Sequence, residues 1–433
     1  MRDVNLIKRG QLIFIGSFLL LIAFGTLLLK SPLVTHSGQP LAWVDALFTA
    51  TSASCVTGLT TVTIGGFNGV GQAVILLLIQ VGGLGFMSLS AFIVLLLGHK
   101  FSYSNSLMFS NLNDNFSLRS MEELILMITS YTLLIEFIGW LLLFPGFYWI
   151  GGYGFWESFY YSFFHAISAF CNAGLSPIDD SLIGQPAYLK LVVAALIILG
   201  GLGIYVIYDF IHYRRHHRLA VHTKLVLVAT AVLIAAGAVA IKFCQDGAET
   251  IRWIDSLFMS VSARTAGFNS VPMDILSPSS VSILVVLMLI GAAPGSTGGG
   301  IKVTAVALAF MAVYNTIKGN TVLVLFHREI PVGNILKGFT MIIIYVVLTV
   351  LGTISLSAIS GVQSEDAAFE TASALGTVGL SLGFSMESDT LSRLLLVAYM
   401  FIGRVGPFTI FLFLLGREKQ TQLKYPEERI VIG

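Results

Sequence analysis

Long apolar stretches alternate with polar segments along the whole chain. They fall near residues 11–30, 72–98, 121–144, 188–211, 224–243, 279–317, 334–358 and 391–416. Each is at least about 20 residues long, the length of helix that crosses the hydrocarbon core of a bilayer. The pattern therefore predicts eight transmembrane spans. The sixth is interrupted by the polar, glycine-rich sequence GAAPGSTGGGIK at 291–302, called here the 291–302 loop.

Four shorter apolar segments lie between pairs of these stretches, at 45–60, 157–176, 255–270 and 366–381. Each begins with an acidic residue, continues through a short apolar run that contains Phe or Tyr, and ends at a glycine. An apolar run of about ten to twelve residues is too short to span and is typical of a re-entrant segment. Irregular backbone at membrane depth persists only where it lines a cavity or is enclosed by protein. Four such segments therefore predict four walls of one pore.

Two sets of glycines repeat in register. The ring glycines end the short segments and are Gly58, Gly174, Gly267 and Gly379. The helix glycines follow them by 24, 26, 24 and 24 residues and are Gly82, Gly200, Gly291 and Gly403. Repeated membrane units with a site at their shared interface are a known transporter design.

The predicted fold class is therefore all-α integral membrane, with four fused helix–pore loop–helix repeats around a pseudo-fourfold pore. It has eight transmembrane spans and four re-entrant pore helices. The repeats are unit 1 at 1–110, unit 2 at 111–222, unit 3 at 223–330 with the 291–302 loop, and unit 4 at 331–433 with a cytoplasmic C-terminus.

Composition and charge support a membrane protein. The chain is 56% hydrophobic and 11% charged, with a mean hydropathy of +0.87, whereas a soluble domain has about 25% charged residues. Lys and Arg concentrate near the N-terminus and at 99–119, 212–224, 318–337 and 417–429, so both termini are expected in the cytoplasm, on one side of the cell membrane. The opposite loops are acidic and attract cations. The net charge of +1 gives no nucleic-acid footprint.

The four segments end in triplets that could replace the water around a bare cation with backbone carbonyl oxygens. Glycine tolerates positive φ, which lets successive carbonyls point to one side. The twelve candidate ion-binding residues are Val56, Thr57, Gly58, Asn172, Ala173, Gly174, Thr265, Ala266, Gly267, Thr377, Val378 and Gly379. Each triplet has one glycine, where a TVGYG potassium filter has two, so a shorter or looser carbonyl array is expected.

Two motifs resemble those of enzymes but lack the residues that the enzyme motifs require. The 291–302 loop lacks the G-x-x-x-x-G-K-[ST] spacing of a phosphate-binding loop, because Ile301 separates Gly300 from Lys302. The sequence GLSLG at 379–383 matches a nucleophile elbow, but no His follows Ser381 in the chain. We therefore expect no enzymatic activity and no organic cofactor.

With these motifs, the chain resembles the membrane subunit of the Trk/Ktr/HKT superfamily of potassium transporters. The four single-glycine triplets and the sequence PGSTGGGIK carry the resemblance over nearly the whole length, and the chain length favours the Ktr type. The resemblance implies K+ uptake, often dependent on Na+ as in symport. It also implies a homodimer on a cytoplasmic ring of nucleotide-binding regulatory subunits.

The resemblance also implies that the 291–302 loop is an intramembrane gate beneath the selectivity filter. Pro294 and the run of three glycines break a helix there, since proline costs about 3 kcal/mol and glycine about 1 kcal/mol in a helix interior. A static kink is the alternative. The candidate gate residues are Gly291, Pro294, Gly295, Ser296, Thr297, Gly298, Gly299, Gly300, Lys302 and Arg404.

Arg404 lies one residue after a helix glycine, deep in the last predicted span. A charge at that depth costs about 2.5–3.5 kcal/mol on insertion scales, so it should face the pore or pair internally. We expect an electrostatic barrier below the filter, or else an ion pair with Glu136 or Asp209. Arg264 is expected near the outer mouth, supported by the acidic loops.

Three other transport functions are alternatives to K+ uptake. They are an unregulated monovalent cation channel, a Na+-preferring transporter, and a carrier for an organic solute. The narrow pore implied by single-glycine triplets argues against the last.

Overall fold

The computed structural model describes residues 2–98, 118–216, 218–245, 251–320 and 322–406. Almost all the regular structure in this part of the chain is helical. Unit 1 contains α1 (Arg2–Leu29), α2 (Trp43–Cys55) and α3 (Gly69–Gly98), and unit 2 contains α4 (Leu118–Pro145), α5 (Phe155–Phe170), α6 (Ala187–Gly201) and α7 (Ile204–His216). Unit 3 contains α8 (Val221–Cys244), α9 (Trp253–Ser262), α10 (Pro278–Leu289), α11 (Val303–Ile317), β1 (Val324–Leu325) and β2 (Arg328–Glu329). Unit 4 contains α12 (Val332–Ser360), α13 (Ser364–Gly376), α14 (Phe384–Glu387) and α15 (Thr390–Val405).

Among the described residues, three helices are long and apolar enough to cross a bilayer: Ile125–Ile150, Val221–Cys244 and Val332–Ser360. The pair α6 and α7 makes a fourth if a bend of 93° is counted within one span. The helical character predicted from the sequence is confirmed, whereas the number of eight spans stays a prediction. Of the basic segments expected in the cytoplasm, 417–429 and all of 99–119 except its last two residues lie outside the described residues.

The short helices form the centre of the molecule and the long helices its surface. In the most apolar windows of the three long helices, 22–33% of the residues are buried. By contrast, every residue of α2 from Phe48 to Cys55 is buried, and so is every residue of α13 from Phe369 to Gly376. A wide exposed apolar surface around a buried centre is what an apolar solvent permits, because lipid does not force apolar side chains inward.

Each short helix packs between neighbouring units. α5 contacts α3, α9 contacts α6, α13 contacts α10 and α2 contacts α15. The helix after each triplet therefore touches the short helix of the next unit, and the fourth unit closes onto the first. We call these four contacts the seams.

One predicted helix is broken. The sequence predicts one apolar helix near 188–211, but the chain turns sharply between Gly201 and Ile204. Gly203 there has φ +83°, and a β-carbon on it would lie 2.5 Å from Pro294 O. The break arises because the 291–302 loop of unit 3 inserts against this point.

Candidate functional site

The four triplets share one backbone conformation. Their first residues all have left-handed φ angles of 49–75° and are Val56, Asn172, Thr265 and Thr377. This region is unfavourable for β-branched residues and persists only where the surroundings enforce it. Here the next amide along the chain donates to a carbonyl oxygen in the last turns of the short helix, at 2.7–2.8 Å in all four units. The turn that ends each helix therefore fixes the direction of its triplet.

Sequence reasoning missed the serine that accepts this bond. It stands five or six residues before each ring glycine and is Ser52, Ser168, Ser262 or Ser373. In units 1 and 4 its hydroxyl accepts from the ring-glycine amide, at 3.0 Å and 3.1 Å. In units 2 and 3 its hydroxyl donates to the carbonyl oxygen of the residue after the ring glycine, at 2.7 Å and 2.6 Å. The spacing of six residues in three of the four units was the available signal.

The four ring glycines meet in cyclic order. A β-carbon on Gly58 would lie 2.5 Å from Ala173 O and 3.2 Å from Gly379 Cα. In the same way, a β-carbon on Gly174 would meet Ala266 O, one on Gly267 would meet Val378 O, and one on Gly379 would meet Thr57 O. Each glycine thus touches the carbonyl of the residue before a neighbouring ring glycine. The structure brings all twelve candidate triplet residues together, with the units following one another around a ring.

The helix glycines allow a second close approach. A β-carbon on Gly82, Gly200 or Gly403 would overlap the carbonyl oxygen of a residue four positions before a ring glycine, namely Ser54, Phe170 or Leu375. The helix after each triplet can therefore lie directly on the end of its own short helix. This contact explains the repeated spacing in the sequence. Unit 3 differs, because Gly291 packs instead against Gly299 O of the loop.

The 291–302 loop leaves and rejoins the helical structure at one place. Ile290 and Ile301 form an isolated parallel bridge, and the amide of Gly291 donates to Ile301 O at 2.9 Å. Val303 then starts α11, and its amide donates to Ala292 O at 3.2 Å. The two ends of the loop, after α10 and before α11, are therefore hydrogen-bonded to each other.

The broken helix of unit 2 satisfies much of this loop's backbone. Loop amides of Ala293 and Thr297 donate to the carbonyl oxygens of Gly201 and Gly200, at 3.0 Å and 3.3 Å. In return, the amide of Ile204 donates to Gly295 O at 3.0 Å. The broken helix and the 291–302 loop therefore supply hydrogen-bond partners to each other's backbone, as buried backbone requires.

The tip of the loop lies against the triplets. A β-carbon on Gly298 would overlap Thr265 Oγ1, and one on Gly299 would overlap Thr377 Oγ1. The β-carbon on Gly298 would also lie 3.3 Å from the side-chain amide of Asn172. The glycines thus let the loop reach the first residues of three triplets.

Two cations fasten the loop. The fully buried Arg404 donates to Thr297 O through Nη1 and to Gly82 O through Nη2, the latter at 2.9 Å. Lys302 Nζ donates to Gly298 O at 2.8 Å.

Glu136, one expected partner of Arg404, accepts from Gln80 Nε2 at 3.0 Å. The other, Asp209, accepts from the Ala220 amide at 2.8 Å.

Arg264 lies elsewhere than the sequence suggested. It is buried and donates through Nη2 to Gly291 O at 3.3 Å. It therefore contacts the start of the 291–302 loop, and the expectation that acidic outer loops support it was wrong. The residue comes directly before the third triplet, whose short helix ends at Ser262, three residues before Thr265.

Carbonyl oxygens are the cation ligands available at this centre. Across the part of the chain that the structure describes, no group of three or more His, Cys, Asp or Glu side chains could hold a metal ion. A monovalent cation in the ring would therefore meet backbone oxygens, which suit weak and rapidly exchanging binding.

Comparison with known proteins places the chain among cation transporters. Residues 10–422 match the family described as "TrkH: Cation transport protein". The chain is 36% identical to the "Potassium/sodium uptake protein NtpJ" of Enterococcus hirae, over 98% of this chain and 97% of that protein. It is 35% identical to the "Ktr system potassium uptake protein B" of Bacillus subtilis, over 98% and 96%.

A solved structure shares the fold. The potassium transporter TrkH from Vibrio parahaemolyticus superimposes with a TM-score of 0.75, covering 94% of this chain and 85% of that one at 18% identity. The apolar helices and the family match together indicate a membrane transport protein and not an enzyme.

Proposed function

Because the chain belongs to the TrkH family of cation transport proteins, we propose that it carries K+ into the cell through the ring of four triplets. The names of its relatives, which specify potassium or potassium/sodium uptake, support this substrate. In this proposal the protein crosses the cell membrane eight times, with four re-entrant pore helices and both termini in the cytoplasm. The four repeats divide at 110, 222 and 330.

The cyclic contact of the ring glycines is the observation that carries the proposal. Each ring glycine touches the carbonyl of the residue before a neighbouring ring glycine, so Thr57, Ala173, Ala266 and Val378 surround one narrow path. Carbonyl oxygens that converge from four sides can replace the hydration shell of a monovalent cation. An organic-solute carrier would need a wider site.

The 291–302 loop is proposed as the gate of this path. Its tip contacts the triplets, and polar, non-helical backbone at this depth is tolerated next to a water-filled cavity. Arg404 fastens the loop to α3 through Thr297 and Gly82. Moving the loop away from the triplets would open the path, and Lys302 would move with it.

Regulation is proposed to come from outside the chain. The Bacillus subtilis relative is named as one component of a Ktr system. We propose a homodimer on a cytoplasmic ring of nucleotide-binding subunits, with Na+ dependence. The name of the Enterococcus hirae relative specifies sodium as well as potassium, so a Na+-preferring transporter is the second candidate.

Uptake of radioactive Rb+ into proteoliposomes tests the proposal. Wild-type protein, with and without Na+, should take up Rb+ in a manner that excess K+ blocks. Gly58→Ser should lose selectivity or affinity by about tenfold or more, because its side chain would enter the ring. Stronger competition by Na+ than by K+ in the wild type would favour the second candidate. Unchanged selectivity in Gly58→Ser would remove the ring from the ion path.

A further inference from the structure

Two of the four helices that follow the triplets carry a basic residue at one repeated position. The residue ten places before each helix glycine is Gln72, Lys190, Val281 or Arg393. In units 2 and 4 it is basic, and in both it reaches across a seam to an acidic residue of the next unit. This pairing is therefore twofold in a molecule whose ring is fourfold.

Lys190 bonds to the chain on both sides of the third triplet, before it at Asp255 and after it at Ser270. Its Nζ lies 2.5 Å from Asp255 Oδ1 in the first turn of α9, and it donates to Ser270 O at 3.3 Å. The Lys190 side chain is fully enclosed and that of Asp255 is 4% exposed. Since Ser270 comes three residues after Gly267, one amine links the segments that lead into and out of the triplet.

Arg393 repeats the ion pair at the opposite seam, while its Nη2 donates to Met386 O of its own unit at 2.9 Å. Its Nη1 lies 2.6 Å from Asp45 Oδ1, in the first turn of α2. Asp45 stands 13 residues before its ring glycine, and Asp255 stands 12 before its own. The first and third triplets are thus held from the preceding unit.

The second and fourth triplets are held from within their own units. Nine residues before the ring glycine, a buried polar side chain binds the serine two residues after it. In unit 2, His165 Nε2 lies 3.1 Å from Ser176 Oγ. In unit 4, Glu370 accepts from Ser381 Oγ and also from the Leu382 amide, the latter at 3.1 Å.

Units 1 and 3 lack this internal contact. The corresponding residues are Thr49, whose hydroxyl has no hydrogen-bond partner among the described residues, and Phe258, which has no polar group. The seams into units 2 and 4 in turn lack an ion pair at the repeated position. Gln72 accepts from Tyr160 there at 2.7 Å, and Val281 is apolar.

We propose that the triplets are positioned in two alternating ways, from the preceding unit in units 1 and 3 and internally in units 2 and 4. Lys190 is then a positioning residue for Thr265, Ala266 and Gly267, although it touches none of their ion-facing carbonyls. This inference rests on the proposed function, because it assigns ion selectivity to the geometry of the ring. A third triplet that loses its link to the preceding unit should discriminate less between K+ and Na+.

The test removes the ion pair without leaving a buried unpaired charge. The double variant Lys190→Met/Asp255→Asn deletes both charges, because removing one partner alone leaves an uncompensated ion and risks misfolding. We expect the K+/Na+ selectivity of Rb+ uptake to fall on the order of tenfold, since small misplacements at a functional site have effects of this size. Lys190→Arg, which keeps the charge, should recover part of the loss.

Arg252→Ala is the matched control. Arg252 also contacts Asp255, at 2.8 Å, but its side chain is 63% exposed. Its removal should leave selectivity within about twofold, because exposed ion pairs contribute little. Wild-type selectivity in the folded double variant would overturn the inference.

A second measurement separates this inference from the proposed function. Hydrogen exchange of the amides at 263–270 should accelerate in the double variant and not in Arg252→Ala. If the wild type transports no Rb+, the proposed function fails while exchange still reports the positioning. If the wild type transports Rb+ and neither exchange nor selectivity changes in the double variant, only the inference fails.

Discussion

The ring and the 291–302 loop touch each other, yet they are built by opposite rules. Every unit contributes one triplet to the ring, with the same turn, the same serine bond and the same close glycine contact. The loop comes from unit 3 alone and is fastened by the broken helix of unit 2 and by Arg404 of unit 4, which also donates to Gly82 O of unit 1. A repeated part holds its geometry through symmetry, whereas a unique part depends on contacts with every other unit. The ring should therefore govern selectivity, and the loop should govern rate.

The largest effect is expected where the symmetric contacts are overfilled. In Gly403→Ala the new methyl group would overlap Leu375 O, so the free energy of unfolding should fall by about 1–3 kcal/mol. Gly16→Ala is the control, because nothing lies within 4 Å of a β-carbon at that mid-helix position. It should be neutral or slightly stabilising. Thermal unfolding in detergent measures both, and equal melting temperatures would mean that the close packing on the short helix is not required.

Arg404 should change rate and leave selectivity intact. In Arg404→Gln the charged bridge between Thr297 O of the loop and Gly82 O of α3 is lost, and hydrogen bonds to charged groups contribute about 1.5–3 kcal/mol. Loosening the gate should raise the maximum rate of Rb+ uptake about three- to tenfold, with K+/Na+ preference unchanged within about twofold. Initial rates in proteoliposomes decide this. A loss of selectivity without a change in rate would contradict the division between ring and loop.

Arg404→Lys distinguishes a fastening role from an electrostatic barrier. Lysine keeps the positive charge but cannot reproduce the forked geometry of arginine. If fastening matters, the lysine variant should also transport faster than the wild type. A rate equal to that of the wild type would instead favour the barrier.

The smallest effect is expected at Lys302. It donates to Gly298 O within its own loop, at 2.8 Å. Lys302→Gln should change the uptake rate by about twofold or less, because the glutamine side chain keeps an N–H donor that can bond to Gly298 O. The same rate assay measures it. An effect larger than that of Arg404→Gln would show that the charge itself matters more than the attachment between units.

The sequence predicted the symmetric part well because its physical requirement recurs four times. Spacing alone located the ring glycines and helix glycines, and the structure gives the reason in close contacts with backbone oxygens. The serines were missed, although Ser52, Ser168 and Ser373 each stand six residues before a ring glycine. Aligning the units on their ring glycines would have found these three, whereas Ser262 is shifted by one residue.

The asymmetric part was harder to predict because it is specified by contacts between units. The letters GGLG occur at 82–85, where α3 continues, and at 200–203, where the chain bends by 93°. The difference comes from Pro294 and Gly295, which insert only at the second place. Arg264 was misplaced for the same reason, since its partner Gly291 belongs to the unique loop.

The most direct test of the central claim is to locate the transported ion. Crystals of the wild type grown with Rb+ would show its position by anomalous scattering. The account predicts a peak on the axis of the ring, within coordination distance of the carbonyl oxygens of Thr57, Ala173, Ala266 and Val378, and its weakening in Gly58→Ser. Rb+ bound elsewhere in a transport-active protein, with none on that axis, would contradict it.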